Sequence, residues 1–484
     1  MTEIAHILDG SYTGTAQLPA YNRDNLATGI VHLGVGNFHR SHQAYYLDQL
    51  LHDGQSDEWA ICGVGVLPSD EHMRNTFHTQ TGLYTLLQKS PDGTIDARVI
   101  GSMPEYLWVP DDADTLREKL AGPSTRIVTL TVTEGGYNID PATGSFRTHN
   151  PAVLADAAGE GTPRTHFRIL HESLKLRRDR GLPAYTVASC DNILGNGHVT
   201  KRTLLEYLAL ADPDFIPWVE NNVAFPNSMV DRITPVTSDE DRTLTASDYG
   251  IDDKWPVPAE SFIQWVLEDT FPLGRPALEK VGVQLVDDVI PYEMMKMRLL
   301  NASHQVIGTF GALIGYHYVH EAMADPLIHA AVAQFQQFEA EPTLPPVPGV
   351  DLPEYRATLL ERFSNPGVKD TIARLSSNTS NSAPNFIVPI IRDQRRQGGQ
   401  FTIQAALIAA WAERAALIPV VIEDPRKDFI HSLATDKDPS AFVRDDELFA
   451  ELAIDQTFID EFVRWRRVIA SKGIRAALEL LLTS

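Results

Sequence analysis

Gly29-Ile30-Val31-His32-Leu33-Gly34-Val35-Gly36-Asn37-Phe38-His39-Arg40 is the stretch on which the fold turns. Its first half is a short β-branched, apolar run that closes in two glycines, and Ser41 to Leu51 then carries apolar residues at helical spacing. The order is strand, tight turn, helix. Glycines there allow the turn and let backbone N–H groups approach a pyrophosphate, so Gly34, Gly36, Asn37, Phe38 and Arg40 are the candidate dinucleotide contacts. The third glycine of the full motif is absent, and an ordinary strand-to-helix turn would read the same way.

Further strands are expected at Trp59 to Val66, Ile127 to Val132 and Ala184 to Ser189, each nearly continuously apolar and separated by helical or turn-rich sequence. Buried parallel strands alternating with helices predict an α/β, Rossmann-type N-terminal domain over residues 1–286. After the second strand, Asp70 is the nearest carboxylate for an adenosine ribose, which favours NAD over NADP. Helix capping by Ser69 or Asp70 is the other reading. From about Asp287 the texture changes. Pro291 to Tyr316 reads as one long helix, and Tyr355 to Phe363 and Phe401 to Ala416 are also helical, so residues 287–484 form a mainly α-helical C-terminal domain. Pro342 to Pro353 is a proline-stiffened surface connection within it.

A chain of 484 residues exceeds what one core usually organises, and 43% hydrophobic with 22% charged residues is an ordinary globular composition. A net charge of -23 opposes nucleic acid and anionic membrane as partners, but not a small anionic cofactor at a helix N-terminus. Two cysteines, Cys62 and Cys190, leave no disulfide framework and no four-cysteine zinc site. The start has no basic segment leading into an apolar run. The longest apolar stretch, Ala405 to Ile422, is broken by Glu413 and Arg414 and reads as an amphipathic or buried helix. A cytoplasmic protein is expected.

Within Tyr292 to His304, three polar residues stand among apolar ones: Lys296, Asn301 and His304. At about 100° per residue Asn301 lies roughly 140° and His304 roughly 80° around from Lys296, one broad face. Gly308, Gly311 and Gly315 fall in the same arc, where small residues would admit another backbone or a cofactor. Oxidising an alcohol needs a base for the hydroxyl proton and donors for the developing oxyanion. A partly buried Lys296 can be that base; taken singly, a snorkelling lysine, a locally bonded asparagine and a core histidine are the favoured readings, and the joint arrangement is what points to catalysis. Asn192, in Ser189-Cys190-Asp191-Asn192-Ile193, follows a strand where ligand-binding residues collect, or else simply turns the chain.

Phe225-Pro226-Asn227-Ser228-Met229-Val230-Asp231-Arg232-Ile233-Thr234-Pro235, with the Lys-x4-Asn-x2-His helix, resembles the long-chain polyol-specific dehydrogenase and reductase family over nearly the whole chain. The likeness is strongest to its mannitol-oxidising branch. The resemblance implies NAD-dependent, metal-independent, reversible oxidation of D-mannitol to D-fructose. Lys296 would be the general base, Asn192 and Asn301 the oxyanion pair and His304 the substrate-positioning residue. It further implies polyol contacts at Asp231 and Arg374 and a proton path past Glu134; a surface ion pair is the other reading of Arg374. No metal is expected: His39 and His42 belong to what resembles the family's own sequence after the glycine turn, and His317/His320 has no nearby cysteine or carboxylate in a zinc spacing. Sister activities on D-arabinitol, D-sorbitol or fructuronate, and a non-catalytic NAD-binding protein, are the alternatives. The partner is a small polyol or ketose, and the subunit a monomer or small homo-oligomer.

Overall fold

The structure is a computed structural model that describes residues 1–54, 56–140, 144–418 and 421–483. The chain separates into two compact units, one of Met1–Ser90 and Thr94–Ile290, the other of Pro91–Gly93 and Pro291–Ser484.

The first unit is built on a five-stranded sheet in the order Glu105–Trp108, Ala60–Gly65, Thr28–Leu33, Ile127–Leu130, Thr186–Ser189. Every neighbouring pair is parallel. Numbered along the chain this is the order 3-2-1-4-5 of a dinucleotide-binding sheet, and the order reverses beside Thr28–Leu33. The strands read as continuous apolar runs because both faces are covered. Val31, Leu33, Cys62 and Val64 pack with Leu116, Phe167, Leu170 and Tyr207 on one face. Ile30 and Ile61 pack with Tyr45, Tyr46 and Trp265 on the other. Val257–Glu260, Tyr84–Lys89 and Ile95–Ile100 form a second small sheet, and Gln284–Val286, Gln264–Glu268 and Ser228–Asp231 a third.

The second unit is mainly helical; among its described residues the sole β pairing is an isolated bridge between Tyr318 and Thr371. Its centre is Thr402–Ala415, buried on nearly every side and packed along Gln456–Lys472. That helix accounts for most of the apolar stretch noted above; Pro419 and Val420 of that stretch lie outside the described residues. Among the described residues no helix is long and apolar enough to cross a membrane.

The expected single helix over 291–316 holds in extent but not in pitch. Ile290–Met295 is α-helical, Lys296–Asn301 forms a π turn, and Ala302–Ile314 returns to α before Gly315, at φ +103, ends it. The wheel at 100° per residue therefore fails between Lys296 and Asn301. An i→i+5 turn is wider, and it brings residues five apart closer to one line than an α-helix would. Side chains satisfy the disrupted ladder: the Leu299 carbonyl accepts from Ser303 Oγ at 2.6 Å and from Gln336 Nε2 at 3.2 Å. Arg298 fastens the same turn outward, donating to Thr343 O and Asp393 Oδ2, both at 2.6 Å. Thr343 belongs to the proline-rich connection, which is thus tied to the helix.

Gly308 does admit another backbone, whereas Gly311 admits side chains, a Cβ there lying 2.9 Å from Ile372 Cδ1 and 3.3 Å from Ala322 Cβ. A Cβ on Gly308 would lie 2.9 Å from Leu375 Cβ and 3.1 Å from its carbonyl carbon, so the close neighbour is the short helix Ile372–Leu375.

Candidate active site

In a parallel sheet all carboxyl ends share one edge, so the segments after Thr28–Leu33, Ile127–Leu130 and Thr186–Ser189 emerge together. These segments carry the glycine turn, Glu134 and Asn192. Gly34 has φ +95, and a Cβ there would lie 2.3 Å from Thr131 O, so only glycine fits. Its carbonyl accepts the Thr131 hydroxyl at 2.7 Å. With that proton spent, the 2.8 Å contact from His32 Nε2 to Thr131 Oγ1 needs the ring to donate, and the Thr129 hydroxyl donates to Nδ1 at 2.8 Å. Burial pushes His32 down to about 3, which keeps it neutral for this role. His39 stands where the third glycine would be and stacks on His32 with centroids 3.4 Å apart.

Asn37–Ser41 opens directly after Gly36. Asn37 accepts from Arg40 Nη2 at 2.7 Å and donates to Pro235 O at 3.2 Å, so the segment after Val-Asp-Arg walls the turn. The Arg40 guanidinium is itself engaged inside the protein, donating to Trp255 O at 2.8 Å between the Tyr84 and Trp255 rings; burial lowers its pKa to about 10. Phe38 stacks on His42. Nothing lies within 4 Å of a Cβ added at Gly36, and the first-turn N–H groups of the helix have no carbonyl partner within it. This open, donor-rich cradle fits a dinucleotide pyrophosphate. Asp70 Oδ2 accepts from Leu67 N at 2.8 Å, a local capping contact at the head of Glu71–Thr79.

Asn192 is exposed in the turn after Thr186–Ser189, and Glu134 is exposed in the short helix Thr133–Gly136. Asp231 is buried at the end of Ser228–Asp231. Behind all three runs a buried polar network. Asp191 accepts from Val132 N at 3.1 Å, Thr133 N at 2.8 Å and the Tyr137 hydroxyl at 2.7 Å. The Ser189 hydroxyl lies 2.6 Å from that of Tyr137, and Ser228 Oγ donates to Ser189 O at 2.6 Å. Asn196 Nδ2 donates to Asp191 O and Ser228 O at 3.0 and 2.7 Å. Asp191, Tyr137, Ser189, Asn196 and Ser228 were not among the sequence candidates. The available signals were that Ser189 and Asp191 share a motif with Asn192 and that Ser228 lies in the segment leading to Asp231.

In the helical unit Lys296 is buried and begins the π turn, and Asn301 ends it. Asn301 Oδ1 is buried with no hydrogen-bond partner, which costs about 1–3 kcal/mol unless a ligand meets the amide. The His304 ring packs 4.9 Å from that of Phe363. Arg374 makes a two-pronged pair with Asp370, Nε to Oδ1 at 2.6 Å and Nη2 to Oδ2, with its side chain 58% exposed. His42 Nε2 contacts Gln264 O at 2.8 Å, and His317 and His320 both pack against Tyr318. Among the described residues no three His, Cys, Asp or Glu side chains gather as a metal-ligand group.

The family description of the mannitol dehydrogenase Rossmann domain matches residues 28–280, and that of the mannitol dehydrogenase C-terminal domain matches residues 288–468. The chain belongs to the mannitol dehydrogenase family. Within this family it is 42% identical over 476 residues to mannitol 2-dehydrogenase of Aspergillus fumigatus, covering 96% of this chain and 95% of that one. To mannitol dehydrogenase 2 of Saccharomyces cerevisiae it is 41% identical over 482 residues, 98% of this chain and 96% of the relative. The solved ternary complex of Pseudomonas fluorescens mannitol 2-dehydrogenase with NAD and D-mannitol superposes with a TM-score of 0.90 at 41% identity, covering both chains fully. A substrate-free D-sorbitol dehydrogenase gives 0.89 at 36% identity, covering 97% of this chain and 98% of that one.

Proposed function

We propose that this family member is an NAD-dependent, metal-independent polyol dehydrogenase that reversibly oxidises D-mannitol at C2 to D-fructose. The observation that carries the reading is the full-length 41% likeness to a protein solved with NAD and D-mannitol. The buried Lys296 supplies a base to go with it, and Asn301 Oδ1, buried without a partner, leaves that amide able to accept from a ligand hydroxyl.

Gly34, Gly36, Asn37 and Phe38 would hold the dinucleotide through backbone donors, with Arg40 keeping Asn37 in place and Asp70 meeting the adenosine ribose. With NAD bound, the hydride lost from the carbinol carbon has an acceptor. Lys296, uncharged, takes the hydroxyl proton as the carbonyl forms. Asn192 and Asn301 donate amide hydrogens to the same oxygen as negative charge develops, and His304 orients the polyol. Asp231 and Arg374 hold the rest of the polyol chain through its hydroxyls. The proton then leaves Lys296 past Glu134 toward solvent. The reading includes a cytosolic setting, in keeping with two buried, unpaired cysteines, and a monomer or small homo-oligomer.

A sister reading, D-sorbitol as the preferred substrate, is favoured by the second solved relative. Absorbance in the NADH band decides between them, with chelator present and mannitol, sorbitol and arabinitol each tested with NAD+ or NADP+. Fastest NADH formation on mannitol is the expected result. Preference for sorbitol moves the assignment to the sister, and silence on every polyol rejects both.

A further inference from the structure

Thr133 has φ +61, a left-handed conformation that a β-branched residue adopts only where its surroundings impose it. The side chain that bonds it is Asp191. An ionised carboxylate is acceptor-only, and this one, 7% exposed, takes the N–H of Thr133, the N–H of Val132 and the hydroxyl of Tyr137 at once. The residue after Thr133 is Glu134 and the residue after Asp191 is Asn192. The Asp191 carbonyl, which leads into Asn192, is also pinned, by Asn196 Nδ2 at 3.0 Å and Ile193 N at 2.9 Å.

We propose that Asp191 is a positioning residue: its carboxylate keeps Thr133 left-handed and thereby sets Glu134 and Asn192 in register with one another. This rests on the polyol dehydrogenase reading above. Backbone strain concentrated beside two polar groups of one site, and held by a buried charge, has no role in packing the sheet, whose core lies on its two faces.

The charge state of Asp191 matters to that hold. Burial pushes its carboxyl up to about 6, with a smaller push from Glu134, while Tyr137, Thr133 and Val132 pull it down as donors. Of the titratable groups around it, Tyr137 stays protonated, Cys190 is kept a thiol by burial, and His166, behind the Tyr137 ring, is pushed down to about 3 and stays neutral. Below about pH 6 the carboxyl gains a proton, one acceptor oxygen becomes a donor, and the Val132–Tyr137 turn loosens. Turnover then falls near pH 6, on top of the acid-side fall that protonation of Lys296 produces. Fold stability responds in the opposite sense: a carboxyl raised above its unfolded value favours the folded state below the ordinary carboxylate range and gives that contribution up as pH rises through about 6.

The test compares the full-length wild type with Asp191→Asn and Asp191→Asn/Thr133→Gly. Three readouts are taken: amide exchange of residues 131–138, turnover on mannitol against pH, and Tm. Asp191→Asn should raise exchange in that segment about tenfold, lower kcat about a hundredfold and remove the step of the acid limb near pH 6, leaving the fall that protonation of Lys296 itself produces. Its Tm should not fall, because a costly buried charge has gone. Glycine at 133 adopts the left-handed conformation unaided, so the double variant should recover about tenfold of the lost turnover together with exchange protection. Unchanged exchange in Asp191→Asn, or no recovery in the double variant, overturns the proposal. A wild type silent on every polyol rejects the functional reading instead, and the exchange arm still decides whether Asp191 holds the turn.

Discussion

The glycine turn and the lysine helix solve one problem, holding polar groups at fixed places, by opposite means. At the turn the backbone is irregular and is held by side chains on the strands or just past their carboxyl ends: Thr131 on Gly34 O, His32 on Thr131, Asp191 on Thr133. On the helix the backbone stays helical, and a single change of pitch, the π turn Lys296–Asn301, does the aiming. There Ser303 and Gln336 take up the Leu299 carbonyl and Arg298 ties the turn to Thr343 and Asp393. The first arrangement should be brittle to single substitutions. The second spreads its support over several bonds and should yield more gradually.

Apart from loss of Lys296 itself, the largest effect expected at either region is on the proposed oxyanion pair. Asn192→Ala and Asn301→Ala should each lower kcat by about 10²–10³ with nucleotide affinity nearly unchanged, read by steady-state kinetics and NADH fluorescence titration. If one falls while the other is neutral, only one region supplies the oxyanion donors. Next is Gly34→Ala. Its Cβ would meet Thr131 O at 2.3 Å and its φ of +95 would be strained, so about 1–3 kcal/mol of stability and most nucleotide binding should go, read by urea unfolding and titration. Gln336→Ala, which removes one support of the π turn, should cost less, about 1 kcal/mol, with kcat down only severalfold.

A pH effect separates the helical unit further. Glu339, buried in a second π turn at Phe335–Ala340, accepts from Ile403 N at 2.6 Å and Gln404 N at 3.1 Å, and burial pushes it up to about 7. Because its folded pKa is raised, it stabilises the fold fully below the ordinary carboxylate range and progressively less as pH rises through about 7. The urea midpoint of Glu339→Gln should therefore fall less between pH 5 and pH 8 than that of the wild type. Smallest is Arg374→Ala. KM for mannitol should rise severalfold at constant kcat, and no kinetic change would leave the pairing with Asp370 as the whole role of Arg374.

The sequence was most informative where physics is local. Apolar runs between glycines marked four of the five strands of the parallel sheet, and polar residues amid methionines marked Lys296, Asn301 and His304. Pitch was not legible, because Lys-Met-Arg-Leu-Leu-Asn suits an α turn as well as a π turn, and the partners that favour the latter, such as Gln336, lie far along the chain. The missing third glycine is explained only in three dimensions, where His39 finds the ring of His32 across the strand. Asp191 was passed over beside Asn192 because its donors, Val132 and Thr133, lie 59 and 58 residues away. Tertiary hydrogen bonds of that kind leave no periodic trace.

The most direct test of the account is turnover of D-mannitol with NAD+ by Lys296→Ala against the wild type, across pH and with chelator present. The account predicts active wild type, a loss of about 10²–10⁴ in the variant, and partial return of activity with added small amines. Normal turnover by Lys296→Ala at every pH would contradict it.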